Sequence, residues 1–303
     1  MNATPTPFLP GDRRNGGLSS ERRWKVSTND VQALKRNDLT ASAKVWLREV
    51  SLSYPTRNGT RLLALDQIDL KVRAGEFVCI VGPSGCGKST LLRIISGLER
   101  PSLGSVSVDG RLVEGAANSG VLIFQELGLF PWLTVAQNIE FGLKMQGLRR
   151  EERTERVRHY LRMVQLSRFS HCYIHQLSGG MRQRVALARA LASEPDVLLM
   201  DEPFAALDAQ TRDLLHDELE RIWTEMGRTI IFVTHNVREA ARLGDRVILF
   251  TFRPGRIKRQ FPIGLPRPRQ IEDASVAGIA RDILVDLREE INKSLEHEYT
   301  LQP

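Results

Sequence analysis

The chain has 303 residues, 42% hydrophobic and 26% charged, the composition of an ordinary globular protein large enough for one or two cores. No apolar run approaches the roughly 20 residues that span a bilayer, and no secretory signal is visible. Three cysteines without close pairing point to a reducing compartment and exclude a disulfide framework. The net charge of +7 admits nucleic acid or an anionic membrane face as partner. The basic residues, however, are scattered over Arg13-Arg14, Arg22-Arg23, Arg149-Arg150 and residues 253–269. They form no stripe with interleaved aromatics, so no nucleic-acid partner is expected, and they read as solvated surface with a cytoplasmic-leaflet bias.

Residues 1–43 are polar, contain Gly and Pro, show little periodicity, and are expected to be disordered or peripheral. The first chemical motif comes after the apolar run 77–81. Gly82-Pro83-Ser84-Gly85-Cys86-Gly87-Lys88-Ser89-Thr90 fits G-x-x-x-x-G-K-[ST] and leads into the helix-like run 91–95. Glycines let the backbone turn tightly and aim successive N–H groups at a polyphosphate, and the helix adds its positive dipole end. Lys88 is a mobile cation for the β- and γ-phosphates, and the Ser89 hydroxyl can ligate Mg²⁺. The pattern and its flanks predict a nucleoside triphosphate site. Cys86, inside the loop, is either an oxidation-sensitive point or merely a small tolerated residue.

Further along, strand-like runs at 78–81, 121–124, 197–200, 230–233 and 247–250 alternate with helical ones, predicting an α/β fold with a mainly parallel sheet. No such strand appears over 126–193, which is expected to be an all-helical insertion. Within it Thr134 and Gln137 stand at capping-box spacing, and Glu152 and Arg156 pair at i,i+4. Ser178, in Leu177-Ser178-Gly179-Gly180, reads as the N-cap of a helix through Ala192, giving a second anion-binding helix end. The run 197–200 ends in Asp201-Glu202. Ligands of parallel sheets bind beyond the carboxyl ends of the strands, so Asp201 can hold a magnesium shell there and Glu202 can deprotonate a water. Asp208 is a plausible N-cap for a helix carrying Leu215, Leu219 and Ile222. The tail, 270–303, shows one amphipathic helix with Ile279, Ile283, Leu287 and Ile291 at helical spacing.

Together the phosphate loop, the Ser-Gly-Gly motif and the Asp-Glu strand end resemble the ATP-binding cassette (ABC) family, over about residues 45–269 and without departure at any chemical position. The resemblance implies a phosphate-loop NTPase cassette over 44–269, with an antiparallel β subdomain and a helical subdomain at about 126–193. It implies ATP and Mg²⁺ as cofactors and four further site residues. Tyr54 would stack on adenine, and Gln125, at the hinge to the helical subdomain, would contact Mg²⁺ and the attacking water. Asp208 would belong to the loop after the second carboxylate, and His235 would touch the γ-phosphate. Read alone, Tyr54 is equally an edge-strand aromatic, Gln125 a strand-end polar residue and His235 a structural histidine. In that family Ser178, Gly179 and Gly180 of a second copy close over the γ-phosphate, which implies a two-fold ATP-sandwich dimer.

What the hydrolysis drives has three candidate classes: an importer subunit with separate permeases, an exporter or lipid-extraction ATPase, and a non-transport cassette acting on ribosomes or DNA. A single cassette with about 90 residues between Lys88 and Ser178 disfavours the last. The apolar stretch from Leu127 to Val135, including Phe130-Pro131-Trp132-Leu133-Thr134, is either subdomain core or a groove for a partner helix. Its wording, with Arg253-Pro254-Gly255-Arg256-Ile257 and Leu265-Pro266-Arg267-Pro268-Arg269, resembles the nitrate/sulfonate/taurine branch of importers. The expectation is therefore a peripheral subunit on the cytoplasmic face of the cell membrane. Its partners would be permeases docking near residues 130–134 and, indirectly, a solute-binding protein; the solute is not encoded here.

Overall fold

The computed structural model describes residues 43–56, 59–116 and 120–300, with side chains described to residue 296. The expected N-terminal extension lies outside the described residues except for Ala43, which already belongs to a strand. Five parallel strands form the centre: β3 (Phe77–Val81), β6 (Val121–Ile123), β7 (Val197–Asp201), β8 (Thr229–Val233) and β9 (Arg246–Phe250). β4 (Leu103–Val108) and β5 (Arg111–Leu112) lie elsewhere, with β1 (Ala43–Pro55) and β2 (Arg61–Arg73). The central sheet runs β10-β9-β3-β8-β7-β6, where β10 (Ile257–Pro262) is an antiparallel edge on β9. The second sheet, β2-β1-β4-β5, is antiparallel throughout. Both sheets match the expected cassette architecture.

Every residue of β3, β7 and β8 is buried, which is why these strands are continuous apolar runs rather than alternating ones. Alternation along the strands instead divides the residues between two cores. Val78, Ile80, Leu199, Ile231 and Val233 face the antiparallel sheet and α1 (Lys88–Ile95), meeting Val45, Leu47, Ile68, Leu91 and Leu92. Phe77, Cys79, Met200, Ile230 and Phe232 face the helices on the other side.

Between β6 and β7 the described chain is helical, as expected: α2 (Val135–Met145), α3 (Arg150–Met163) and α4 (Gly179–Ala192), with short 3-10 turns. Thr134 and Gln137 form the reciprocal capping box, and Arg156 meets Glu152 at 3.1 Å. α4 begins at Gly179 because the Ser178 hydroxyl caps the Met181 N–H at 3.3 Å, so the two glycines occupy the first turn. The helices α5 (Ala209–Met226), α6 (Val237–Leu243) and α7 (Ala274–Thr300) complete the fold. Phe124 falls outside β6 and is exposed. On α7, Val276, Ala280, Ile283 and Leu287 are buried but Ile291 is 40% exposed, a correction to the stripe read from sequence. The next inward position after Leu287 belongs to Glu290, whose carboxylate accepts the Phe252 N–H at 2.9 Å and pairs with Lys258 and Lys293.

The apolar segment before α2 is held from beneath by Asn138, which is fully buried. Its Oδ1 accepts the Phe130 N–H at 2.9 Å, and its Nδ2 donates to the carbonyls of Phe130, Leu133 and Thr134 at 3.0–3.2 Å. Arg189 donates to the Leu127 and Gly128 carbonyls, both at 2.7 Å. Asn138→Leu strands these groups and is expected to cost about 2 kcal/mol. A lower urea midpoint with faster proteolysis at 126–134 is the outcome to look for; an unchanged midpoint contradicts the assignment.

Candidate functional site

The loop after β3 is shaped by its glycines. Gly87, at φ 98°, is the residue before α1, and a Cβ there would lie 2.6 Å from Leu65 Cδ2. Gly85, at φ 70°, has the end of the Arg253 side chain 2.6 Å from where a Cβ would stand; that side chain could give way, so the φ is what favours glycine. Both positions demand a left-handed conformation that favours glycine. Gly87 offers no side-chain cap to α1, so the first-turn amides of that helix remain a positive end. Lys88 is buried, and its Nζ donates to the carbonyls of Gly82 at 2.9 Å and Pro83 at 2.8 Å. The ammonium is thereby drawn along the inside of the loop.

Cys86 turns its side chain away from the loop surface. Its side chain is fully buried in the core, and its N–H is spent on the Pro83 carbonyl at 3.4 Å. Its thiol fills space under the loop, and burial pushes its pKa up, with Lys88 opposing. It is not an oxidation-prone point, because the reactive thiolate is disfavoured.

At the ends of β7 and β8 the parallel arrangement brings the other motifs to the same edge. Asp201 Oδ1 accepts the Ser89 hydroxyl at 3.0 Å. Burial raises the Asp201 carboxyl, an effect the Ser89 hydrogen bond opposes. Glu202, at φ 46°, has its N–H fixed on the Val233 carbonyl at 2.9 Å. Its Oε2 lies 3.0 Å from His235 Nδ1. The two are partly open, with side chains 22% and 64% exposed, so water can reach the pair.

A cleft of about 480 Å³ joins these groups. Tyr54, Ser84, Gly85, Gly87, Lys88, Ser89, Thr90, Gln125 and Glu202 line it. The Tyr54 hydroxyl is raised by burial, with Thr90 lowering it and Glu99 raising it further. Gly82, Pro83 and Asp201 stand behind this lining. Ser178, Gly179, Gly180 and Asp208 are not among the lining residues. Ser178 caps α4, and Asp208 caps α5 by accepting the Thr211 N–H at 2.9 Å. Gly179 borders a second cleft of about 430 Å³ with Gln125, Arg182, Gln183 and Glu202.

Sequence reasoning missed Arg253 as a wall of the first cleft. It stands 168 residues from Gly85 in the chain and reaches that carbonyl at 2.8 Å through its Nε. No local pattern marks such a contact.

The ABC transporter family model matches residues 65–205. An uncharacterized ABC transporter ATP-binding protein of Methanocaldococcus jannaschii is 49% identical over 239 residues, 79% of this chain and 90% of the relative. A nitrate import ATP-binding protein of Synechocystis sp. is 50% identical over 205 residues, 68% of this chain and 77% of the relative. A taurine import ATP-binding protein of Burkholderia pseudomallei is 44% identical over 225 residues, covering 74% and 86%. Among solved structures, the dimeric cassette MJ0796 of a bacterial ABC transporter superposes with a TM-score of 0.66 at 34% identity, over 73% of this chain and all of that one. The same cassette in a post-hydrolysis dimer with ADP and Pi gives 0.66 at 35% identity over the same shares.

The three cysteines allow a direct check of the loop geometry. Cys79 and Cys86 are buried and Cys172 is intermediate, and burial raises both buried thiols. At pH 8 an aromatic disulfide reagent is expected to titrate about one thiol in the native protein and all of them in denaturant. Rapid modification of Cys86 in the native chain contradicts this packing.

Proposed function

The chain belongs to the ABC transporter family, and on that premise we propose that it is the ATP-hydrolysing subunit of a membrane importer for a small anion such as nitrate, a sulfonate or taurine. One observation carries the catalytic half of the reading: the Ser89–Asp201 pair and the Glu202–His235 pair stand on the same edge of the sheet as the phosphate loop. The import half is supported by the relatives named for nitrate and taurine import.

Phosphoryl transfer to water needs charge neutralisation and in-line placement of the nucleophile more than covalent help. Loop amides and Lys88 supply positive charge to the β- and γ-phosphates. Ser89 and Asp201 are adjacent hard oxygen donors, a set that suits Mg²⁺. No group of three or more His, Cys, Asp or Glu side chains that could hold a metal occurs among the described residues; phosphate and water oxygens would complete the shell beside Ser89 and Asp201. Bound there, Mg²⁺ would neutralise charge on the phosphate oxygens. Glu202 orients the attacking water and accepts its proton, while His235 fixes the direction of that carboxylate and faces the γ-phosphate. Gln125 lines the same cleft, where it would contact the metal and the attacking water, and Tyr54 would support the adenine ring. Ser178, Gly179, Gly180 and Asp208 serve a second copy, whose own motif completes this cleft in return.

No helix among the described residues is long and apolar enough to cross a membrane; in this reading, permease subunits supply the passage. Their docking site, in this reading, is the Asn138-braced segment. Trp132 is 69% exposed and Phe141 40% exposed. Phe130 lies between them, with ring centroids 5.5 Å from Trp132 and 4.6 Å from Phe141. A rigid aromatic platform suits a partner helix. The subunit would then sit on the cytoplasmic face, with a solute-binding protein acting through the permease.

Glu202→Gln is expected to keep ATP binding and lose at least about 100-fold in turnover, since it removes the base but not the phosphate contacts. Near-normal ATPase activity in that variant defeats the assigned role. Trp132→Ala should abolish transport by the assembled complex while the isolated subunit hydrolyses ATP at its usual rate. Transport that survives the change removes the docking proposal.

A further inference from the structure

We propose that Arg253 is a second phosphate-binding cation of the cleft, delivered by the strap between β9 and β10. The inference rests on the nucleotide reading above and adds to it a residue outside the segment matched by the family model.

The strap is held on three sides. Thr251 closes it from within, donating its N–H to the Arg256 carbonyl at 2.9 Å and its hydroxyl to the Pro254 carbonyl at 2.8 Å. Gly255 ties it to β2, through its N–H to Ala64 at 2.9 Å and its carbonyl to the Asp66 N–H at 3.0 Å. A Cβ on Gly255 would lie 2.1 Å from the Cys86 carbonyl, so the strap lies flat on the phosphate loop. Phe252 fixes the other end to Glu290 of α7. Arg253 is therefore presented by a backbone that is already ordered.

The guanidinium uses one donor, Nε, on the Gly85 carbonyl. Its terminal nitrogens make no hydrogen bond or ion pair among the described residues, although it stands in the wall of the cleft with Ser84 and Lys88. The acids near the strap are committed elsewhere: Asp66 to Arg256, and Glu290 to Lys258 and Lys293. Lys88, the other cation of the wall, has its ammonium on two loop carbonyls. An arginine held by one nitrogen and open at the others suits the oxygens of a phosphate, because the planar fork is oriented before the anion arrives. The anion recognised is the polyphosphate of a nucleotide. Tyr54 and Leu62 line the same cleft and offer an aromatic and apolar surface for the base.

Arg253→Gln tests this, since glutamine can still donate to a carbonyl but carries no charge. Binding of MgATP, inorganic triphosphate and adenosine to full-length protein is measured by calorimetry, directly or by competition. The proposal predicts about tenfold weaker binding of both phosphate ligands, unchanged adenosine binding, and a shallower salt dependence for MgATP. Unaltered triphosphate affinity overturns it. An equal loss for adenosine also overturns it, because the strap would then be shaping the cleft rather than binding phosphate. Failure of the unsubstituted protein to bind any of the three defeats the nucleotide reading itself, and the role of Arg253 with it.

Discussion

The loop between β3 and α1 depends on left-handed backbone at Gly85 and Gly87, a conformation that residues with side chains rarely adopt. Gly87 is pressed against Leu65, and Gly85 against Arg253. Those contacts come from β2 and from the β9–β10 strap, so the loop is clamped by parts of the chain on both sides of it in sequence. An alanine at Gly87 would meet a clash and an unfavourable φ together, and one at Gly85 an unfavourable φ. The positions of Lys88 and Ser89 depend on that turn.

Parallel strand order does the rest. β3, β8 and β7 are neighbours in one direction, so the segments leaving their carboxyl ends emerge at one edge. Lys88 and Ser89 open α1, just past the loop that follows β3, His235 follows the end of β8, and Asp201 and Glu202 stand at the end of β7. The Glu202 backbone is tied to Val233, and its side chain meets His235. Residues more than a hundred positions apart therefore meet without any long side chain having to bridge a gap.

Much of this is legible in the residues. Runs that are apolar without alternation mark β3, β7 and β8, because a strand buried on both faces has no polar side to show. The caps Thr134, Ser178 and Asp208 declare themselves by residue type next to helical spacing. The hidden part depends on contacts between distant segments. Asn138 looks like any polar helix residue until the loop folds over it. His216 lies within a helix read from Leu215, Leu219 and Ile222, yet it is fully buried and meets Glu239 at 2.6 Å. Glu239 in turn receives the Thr234 hydroxyl beside His235, and Arg242 approaches the other imidazole nitrogen at 3.3 Å. A buried polar chain of this sort joins α5 to the loop after β8 and has no signature in spacing. Ile291 leaves the apolar stripe of α7 for the same reason, since Glu290 is drawn inward by partners on the strap and β10.

The cleft of one chain is lined by the phosphate loop and Glu202, with Asp201 and His235 bonded to that lining through Ser89 and Glu202, whereas the Ser178 motif and Asp208 cap helices outside it. The central claim is that ATP joins two such halves. Sedimentation equilibrium of the purified chain with Mg²⁺ and a slowly hydrolysed ATP analogue tests it most directly. The account predicts that the 34.2 kDa species is replaced by one of twice that mass carrying one analogue per chain. A species that stays at 34.2 kDa under saturating analogue contradicts it.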